Sequence, residues 1–186
     1  MGMIQFPGPP VPVVSDSVKN QPVFGRHKSP SQPNVAPGMQ VLISGRAMPE
    51  FILKAAQRVL PDGRIFVAGE RKAAIDRLQR RAQADGLDNL SFQVSPSDAL
   101  RLPDVSIDRA YLVSVLDKTP QKLGTLKEMR RILKPEGLLS VDQRLLDLGF
   151  TGRSTMIQWC AKAGFSLAVS YGSLLHYLLV FRIEKE

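Results

Sequence analysis

RAYLVSVLDKTPQKLGTLKEMRRILKPEGLLSVDQ, residues 109–143, is the stretch that decides the fold. It opens on an apolar run, RAYLVSVL (109–116), fit for a buried strand. Thr119-Pro120 then reads as a helix N-cap followed by proline at the first helical position. Leu123, Leu126, Met129 and Leu133 recur at helical spacing. Lys134-Pro135-Glu136-Gly137 breaks that pattern, and LLSVDQ (138–143) starts a second apolar run. Strand, helix and strand in so short a span is a crossover unit, which joins parallel strands and should be right-handed.

The same alternation extends to both sides. MQVLIS (39–44) reads as a strand, followed by a helix from Pro49 to Leu60 with Ile52, Ala55, Ala56 and Val59 on one face. Pro61-Asp62-Gly63 is a turn, and RIFVAG (64–69) a second strand. Residues 71–84 form a basic helix with Ile75, Leu78 and Ala82 inward, and LSFQV (90–94) a third strand. Beyond the deciding stretch, Thr155 to Ala163 is a helix with Gly164 at its C′ position. SLAVSY (166–171) and HYLLVFRI (176–183) have no helix between them, so they should form an antiparallel hairpin. The expectation is an α/β chain with a seven-stranded, mostly parallel sheet and a C-terminal antiparallel hairpin.

Of the 14 prolines, eight fall in residues 1–38. Proline fixes φ and removes a donor, so this segment cannot be a regular helix or central strand. The expected organisation is a proline-rich N-terminal arm, 1–38, and an α/β domain, 39–186. Val11, Val13, Val14, Val23 and Phe24 would let the arm dock over a site as a lid; otherwise it is a loosely ordered leader.

The chain carries +8 with histidine neutral, of which the arm supplies only +2, so this is not a basic nucleic-acid tail. The charge leaves a nucleic-acid substrate open. Aromatics, at 6%, do not interleave with the cations, which argues against a base-stacking platform. One cysteine, Cys160, excludes a disulfide framework and a multi-cysteine zinc site, and His27 and His176 alone do not build a metal centre. No apolar run is long enough to span a membrane, and the N-terminus lacks a basic n-region. A cytoplasmic protein is expected.

The order of local strings resembles the class I S-adenosylmethionine-dependent methyltransferase family over residues 37–183. Pro37-Gly38-Met39-Gln40-Val41-Leu42 resembles the lead into the family's first strand. Leu60-Pro61-Asp62-Gly63-Arg64-Ile65 and Gly86-Leu87-Asp88-Asn89-Leu90 resemble the links into its second and third strands. Leu102-Pro103-Asp104 with Ile107-Asp108-Arg109 resembles the approach to the fourth, and Ala163-Gly164-Phe165 the link into the sixth. The fullest match is Leu126 to Gly137, similar to the family pattern L-x-E-x-x-R-x-L-K-P-G-G. The small-molecule group that includes quinone C-methyltransferases is nearest. The resemblance implies a Rossmann-like three-layer sandwich, S-adenosyl-L-methionine as cofactor, no metal, and a small-molecule substrate.

It also implies site residues. Gly45 matches the first glycine of the family's glycine-rich loop after strand one, but Ala47 and Pro49 replace the next two, and Arg46 brings a cation near the place of the positive sulfonium, which would disfavour the cofactor if it points inward. Glu70 is the counterpart of the ribose-binding acid, although a gapless reading puts Gly69 there. Glu70 is otherwise a solvated acid at a helix start. Asp98 and Ala99 resemble the adenine-contacting pair, after two extra residues at Ser95-Pro96, and Ser114 matches the segment lining the methyl donor. The cofactor-binding set is therefore Gly45, Ala47, Glu70, Asp98, Ala99 and Ser114. The sixth strand runs toward the ligand side, so Tyr171, Ser173 and His176 should sit on the active rim, with His176 a candidate general base or a surface histidine. Methyl transfer needs positioning and desolvation rather than a fixed nucleophile, so no catalytic residue is named by sequence. The altered loop leaves a second reading: a methyltransferase-fold protein that has lost catalysis and serves as a binding partner or scaffold.

Overall fold

The computed structural model describes residues 34–144, 150–173 and 176–184. Its elements are β1 (Gln40–Gly45), α1 (Pro49–Val59), β2 (Arg64–Gly69), α2 (Lys72–Ala84), β3 (Leu90–Val94), β4 (Ile107–Val113), α3 (Lys122–Ile132), β5 (Leu133–Arg144), α4 (Arg153–Lys162), β6 (Phe165–Gly172) and β7 (His176–Ile183). The strands form one sheet in the order β3-β2-β1-β4-β5-β7-β6. β7 runs antiparallel to both of its neighbours, and the other pairings are parallel. The α/β architecture and the closing hairpin are as the sequence implies.

Alternation along each strand builds two cores. Leu42, Ala110, Leu112, Leu139 and Val141 face α3 and α4, where Met129, Met156 and Cys160 are fully buried. Val41, Ile43, Ile65, Val67, Tyr111 and Val113 face α1 and α2 on the other side. The result is helix, sheet, helix in three layers. The basic side chains of α2 at Arg77, Arg80 and Arg81 are exposed while Ile75, Leu78 and Ala82 are buried. No described helix is long and apolar enough to cross a membrane.

The string from Leu126 to Lys134 turns out to be a tie between elements. Arg131 donates to both oxygens of Glu128 at 2.8 and 2.7 Å, to the Leu102 carbonyl at 2.9 Å, and to Asp104. Glu128 in turn accepts the Leu100 amide. Arg130 donates to the Gly164 carbonyl at 2.9 Å, fastening α3 to the turn after α4. Lys134 pairs with Asp108, whose other oxygen accepts the Gln40 amide. These charged residues fix the chain leading into β4 and the starts of β1 and β5, at the edge remote from the strands' carboxyl ends.

Two local expectations change. α3 starts at Lys122 with Gln121 as its N-cap, not at Thr119-Pro120. The amides of Lys118 and Thr119 both bond the Val115 carbonyl, which makes a separate turn, and the Thr119 carbonyl accepts the Lys122 ammonium. Leu123 therefore falls in the first turn and is 44% exposed, while Thr125 takes a buried position. β4 runs 107–113 rather than 109–116, because Ser114 adopts φ +51° and ends it.

Residues 1–33 of the proline-rich arm, and with them Val11, Val13, Val14, Val23 and Phe24, lie outside the described residues. At residue 34 the chain is already fastened to the sheet. The Asn34 amide donates to the Tyr111 hydroxyl at 2.9 Å, and that hydroxyl donates to the Asn34 carbonyl at 3.3 Å.

Candidate functional site

Strand order reverses between β1 and β4, which share an edge although they are not consecutive. In open α/β sheets the crevice for ligands opens beyond the carboxyl ends of the strands at such a switch point. A cleft of about 510 Å³ lies there. It is lined by Gly45, Arg46 and Ala47 after β1, by Gly69, Glu70 and Arg71 after β2, by Ser97 after β3, and by Ser114, Val115, Lys118 and Thr119 after β4. Ala74 and Ile75 of α2 close its floor.

The backbone here is unusual. Gly45 has φ +99°, and a Cβ on it would sit 2.3 Å from the Val113 carbonyl oxygen and 2.4 Å from Val115 Cγ2. That carbonyl already accepts the Arg46 amide at 2.8 Å. Ser114, a non-glycine in the left-handed region, is 3% exposed, and its amide donates to the Asp142 carbonyl at 2.9 Å. Strained backbone of this kind persists where surrounding structure over-determines it, and it concentrates at ligand sites.

Of the residues named from sequence, Gly45, Ala47, Glu70 and Ser114 meet in this cleft. Asp98 and Ala99 do not line it. The Ser97 hydroxyl pairs with that of Ser44 at the end of β1, 2.7 Å away, which holds Ser97 at the cleft wall. The Ala99 amide turns back to the Pro96 carbonyl, and Asp98 lies beside Gly124 of α3. Of this loop, Ser97 is the residue that lines the cleft. Ser97, Lys118 and Thr119 carried no sequence signal beyond their position after a strand.

A second cavity, of about 210 Å³, adjoins the first. Its walls include Met48, Phe51, Tyr111, Val113 and Leu178, with Phe51 and Tyr111 edge to face at 5.3 Å between centroids. Asp142 and Arg144 from β5 also line it, as do Glu50 and Lys54 from α1. Ala47 lines both cavities, and the consecutive residues Val113 and Ser114 line one each. His176, at the start of β7, is not among the residues lining either cavity but meets Asp142, which lines the smaller one. Its Nε2–H donates to Asp142 Oδ2 at 2.9 Å.

Burial sets the titration of three interior groups. It pushes the Tyr111 hydroxyl up to about 12 and the Cys160 thiol up to about 12, and it raises the Tyr177 hydroxyl as well. In the unfolded chain a thiol ionises near 9.0 and a phenol near 10.0. The unfolded state therefore releases protons that the folded state keeps, and stability should fall as pH rises from about 9 toward about 12. Urea titrations at intervals over that range should show a falling midpoint, with the earliest part of the fall removed in a Cys160→Ala variant. A flat midpoint would contradict it.

The cleft suits a nucleoside-containing cofactor with a charged amino-acid end. Glu70 provides a carboxylate that can accept from a ribose diol, Ala74 and Ile75 an apolar floor, and Arg46, Arg71 and Lys118 cations for a carboxylate. Among the described residues no cluster of side chains could hold a metal ion.

Comparison with known proteins agrees with this geometry. The family model described as "Methyltransferase domain" matches residues 37–165. The ubiquinone/menaquinone biosynthesis C-methyltransferase UbiE of Bordetella avium (strain 197N) is 32% identical over 108 residues, 58% of this chain and 42% of the relative. The sterol 24-C-methyltransferase erg6 of Aspergillus fumigatus is 34% identical over 73 residues, 39% of this chain and 19% of the relative. The chain thus spans less than half the length of these curated relatives. A crystal structure of a SAM-dependent methyltransferase from Aquifex aeolicus superimposes with a TM-score of 0.71 at 16% identity, covering 80% of this chain and 84% of that one. The chain belongs to the methyltransferase domain family.

Proposed function

We propose that this protein transfers a methyl group from S-adenosylmethionine to a small-molecule acceptor in the cytoplasm. The cofactor would lie in the larger cleft and the acceptor in the smaller cavity. The observation that carries this reading is the junction of the two spaces at Ala47 and at Val113-Ser114. Methyl transfer requires two ligands to approach in line, and adjoining cavities at one switch point provide that. When bound, the cofactor supplies a methyl group already activated by its sulfonium charge.

The chain's own contribution is placement. Glu70 would hold the ribose hydroxyls, and Ser97 would meet the base side in place of Asp98 or Ala99. Arg46 and Lys118 would neutralise the carboxylate end of the cofactor. The apolar walls Phe51, Tyr111 and Val113 would exclude water from the acceptor. Asn34, the first described residue, is bonded to Tyr111, which is itself a wall of the smaller cavity.

Isothermal calorimetry of the full chain with S-adenosylmethionine and with its demethylated product tests the reading. Saturable binding of both is expected. Absence of heat at millimolar ligand would overturn it in favour of a binding or scaffold protein.

A further inference from the structure

The larger cleft is built with an excess of positive charge. Arg46, Arg71 and Lys118 line it, and Glu70 is the acid among its described lining residues. At the end of β1, Ile43 and Ser44 are each 1% exposed, Ile43 in the core and Ser44 bonded to Ser97, so that strand brings no carboxylate to the cleft. α2 adds to the field. Arg71 is its N-cap, its first turn holds no acid, and its positive end carries Ala74 and Ile75 into the cleft floor.

The loop after β1 shows why side-chain cations are needed there. Backbone N–H groups at a strand-to-helix loop commonly hold the anionic end of a ligand. Two of those groups are missing here. The Arg46 amide donates to the Val113 carbonyl at 2.8 Å, and Pro49, the first residue of α1, has no N–H. A ligand carboxylate therefore falls to side chains, and Arg46 is the cation carried by the loop itself, where the ends of β1 and β4 meet.

Resting on the cofactor reading above, we infer that Arg46 gives this cleft a charge preference: it takes the uncharged thioether, the demethylated product, more tightly than the sulfonium cofactor. The amino-acid end is a zwitterion in both, so the two ligands differ in charge only at sulfur. The sulfonium adds a positive charge where cations already outnumber acids, and the thioether adds none. The cleft retains spent cofactor over fresh, and Arg46 is the specificity-determining residue.

Calorimetry of the full chain with three ligands tests this: S-adenosylmethionine, its demethylated product, and sinefungin. Sinefungin carries an ammonium on carbon in place of the methylated sulfur, which separates charge from the size of a methyl group. At low salt the product should bind about tenfold or more tightly than either cationic ligand, the order expected of like charges several ångströms apart at an exposed site. Screening at about 0.5 M salt should shrink that gap to about threefold or less. Arg46→Gln should close most of the gap at low salt. Poor folding of the variant would weaken all three ligands together and could not produce that change of ratio. Lys162→Gln, an equal loss of charge on the exposed face of α4, should keep the native gap. Equal affinity for product and sulfonium in the native chain, a gap indifferent to salt, or an Arg46→Gln protein with the native gap overturns the inference. Failure of all three ligands to bind sinks the methyltransferase reading and this one together, whereas binding without preference sinks only this one.

Discussion

Gly45→Ala should destabilise the protein by about 2–4 kcal/mol, as left-handed backbone strain and overpacking add at this position. Gly45 has φ +99°, a region in which a Cβ is disfavoured. The added atom would also meet the Val113 carbonyl at 2.3 Å and Val115 at 2.4 Å. Neither neighbour yields easily. The carbonyl belongs to β4, the central partner of β1, and it already accepts the Arg46 amide. Gly86→Ala is the matched control, because Gly86 has φ +70° but nothing within 4 Å of its would-be Cβ. It should cost only about 1 kcal/mol, from backbone conformation alone. Urea unfolding of the two variants measures the difference. Equal losses would mean that the β1–β4 joint relaxes around the methyl group. The glycine is thus required by the sheet whether or not a ligand is bound, and a bulky residue there reports on folding before it reports on binding.

Glu70→Ala should weaken S-adenosylmethionine binding by about 10–100-fold, the worth of hydrogen bonds between a diol and a carboxylate. Glu70 is exposed at the cleft lip, directly after β2. Exposed substitutions away from packing features usually change stability by no more than about 0.5 kcal/mol. The variant should therefore unfold at the native urea midpoint while losing affinity, a separation that Gly45 variants cannot give. Unchanged affinity would remove Glu70 from the site and leave the backbone at Gly69 as the ribose contact. Calorimetry with both cofactor forms reads the outcome directly.

How much of this was legible depended on the range of the interactions involved. The strands at 64–69, 90–94 and 176–183 and the inward face of α1 follow from short-range apolar pattern, and the structure reproduces them. The motif from Leu126 to Gly137 carried the family resemblance, yet its charged residues Glu128, Arg130, Arg131 and Lys134 serve as ties among elements. Its legibility comes from density of signal along the chain, which differs from nearness to the chemistry. Asp98 looked like a cofactor contact because it preceded Ala99 in a familiar dipeptide. In the structure Ser97 lines the cleft and is bonded to Ser44, while Asp98 is not among the lining residues. No local rule ranks two polar residues of one loop by which of them faces a cleft.

The smaller cavity is the clearest case of what sequence withheld. Its lining comes from α1, β4, β5 and β7, and the pair that marks it, Asp142 and His176, is 34 residues apart. Periodicity placed each residue on its element. The partner appears only once β7 is laid antiparallel against β5, where the register sets His176 opposite Arg144, and Asp142 opposite Leu178. The sequence by itself determined the elements, their order and the parallel sheet, because apolar period and turn residues act over a few positions. The tertiary structure alone decided which strand ends meet, which histidine Asp142 pairs with and why Gly45 must lack a side chain, because those depend on neighbours that only strand pairing brings within reach.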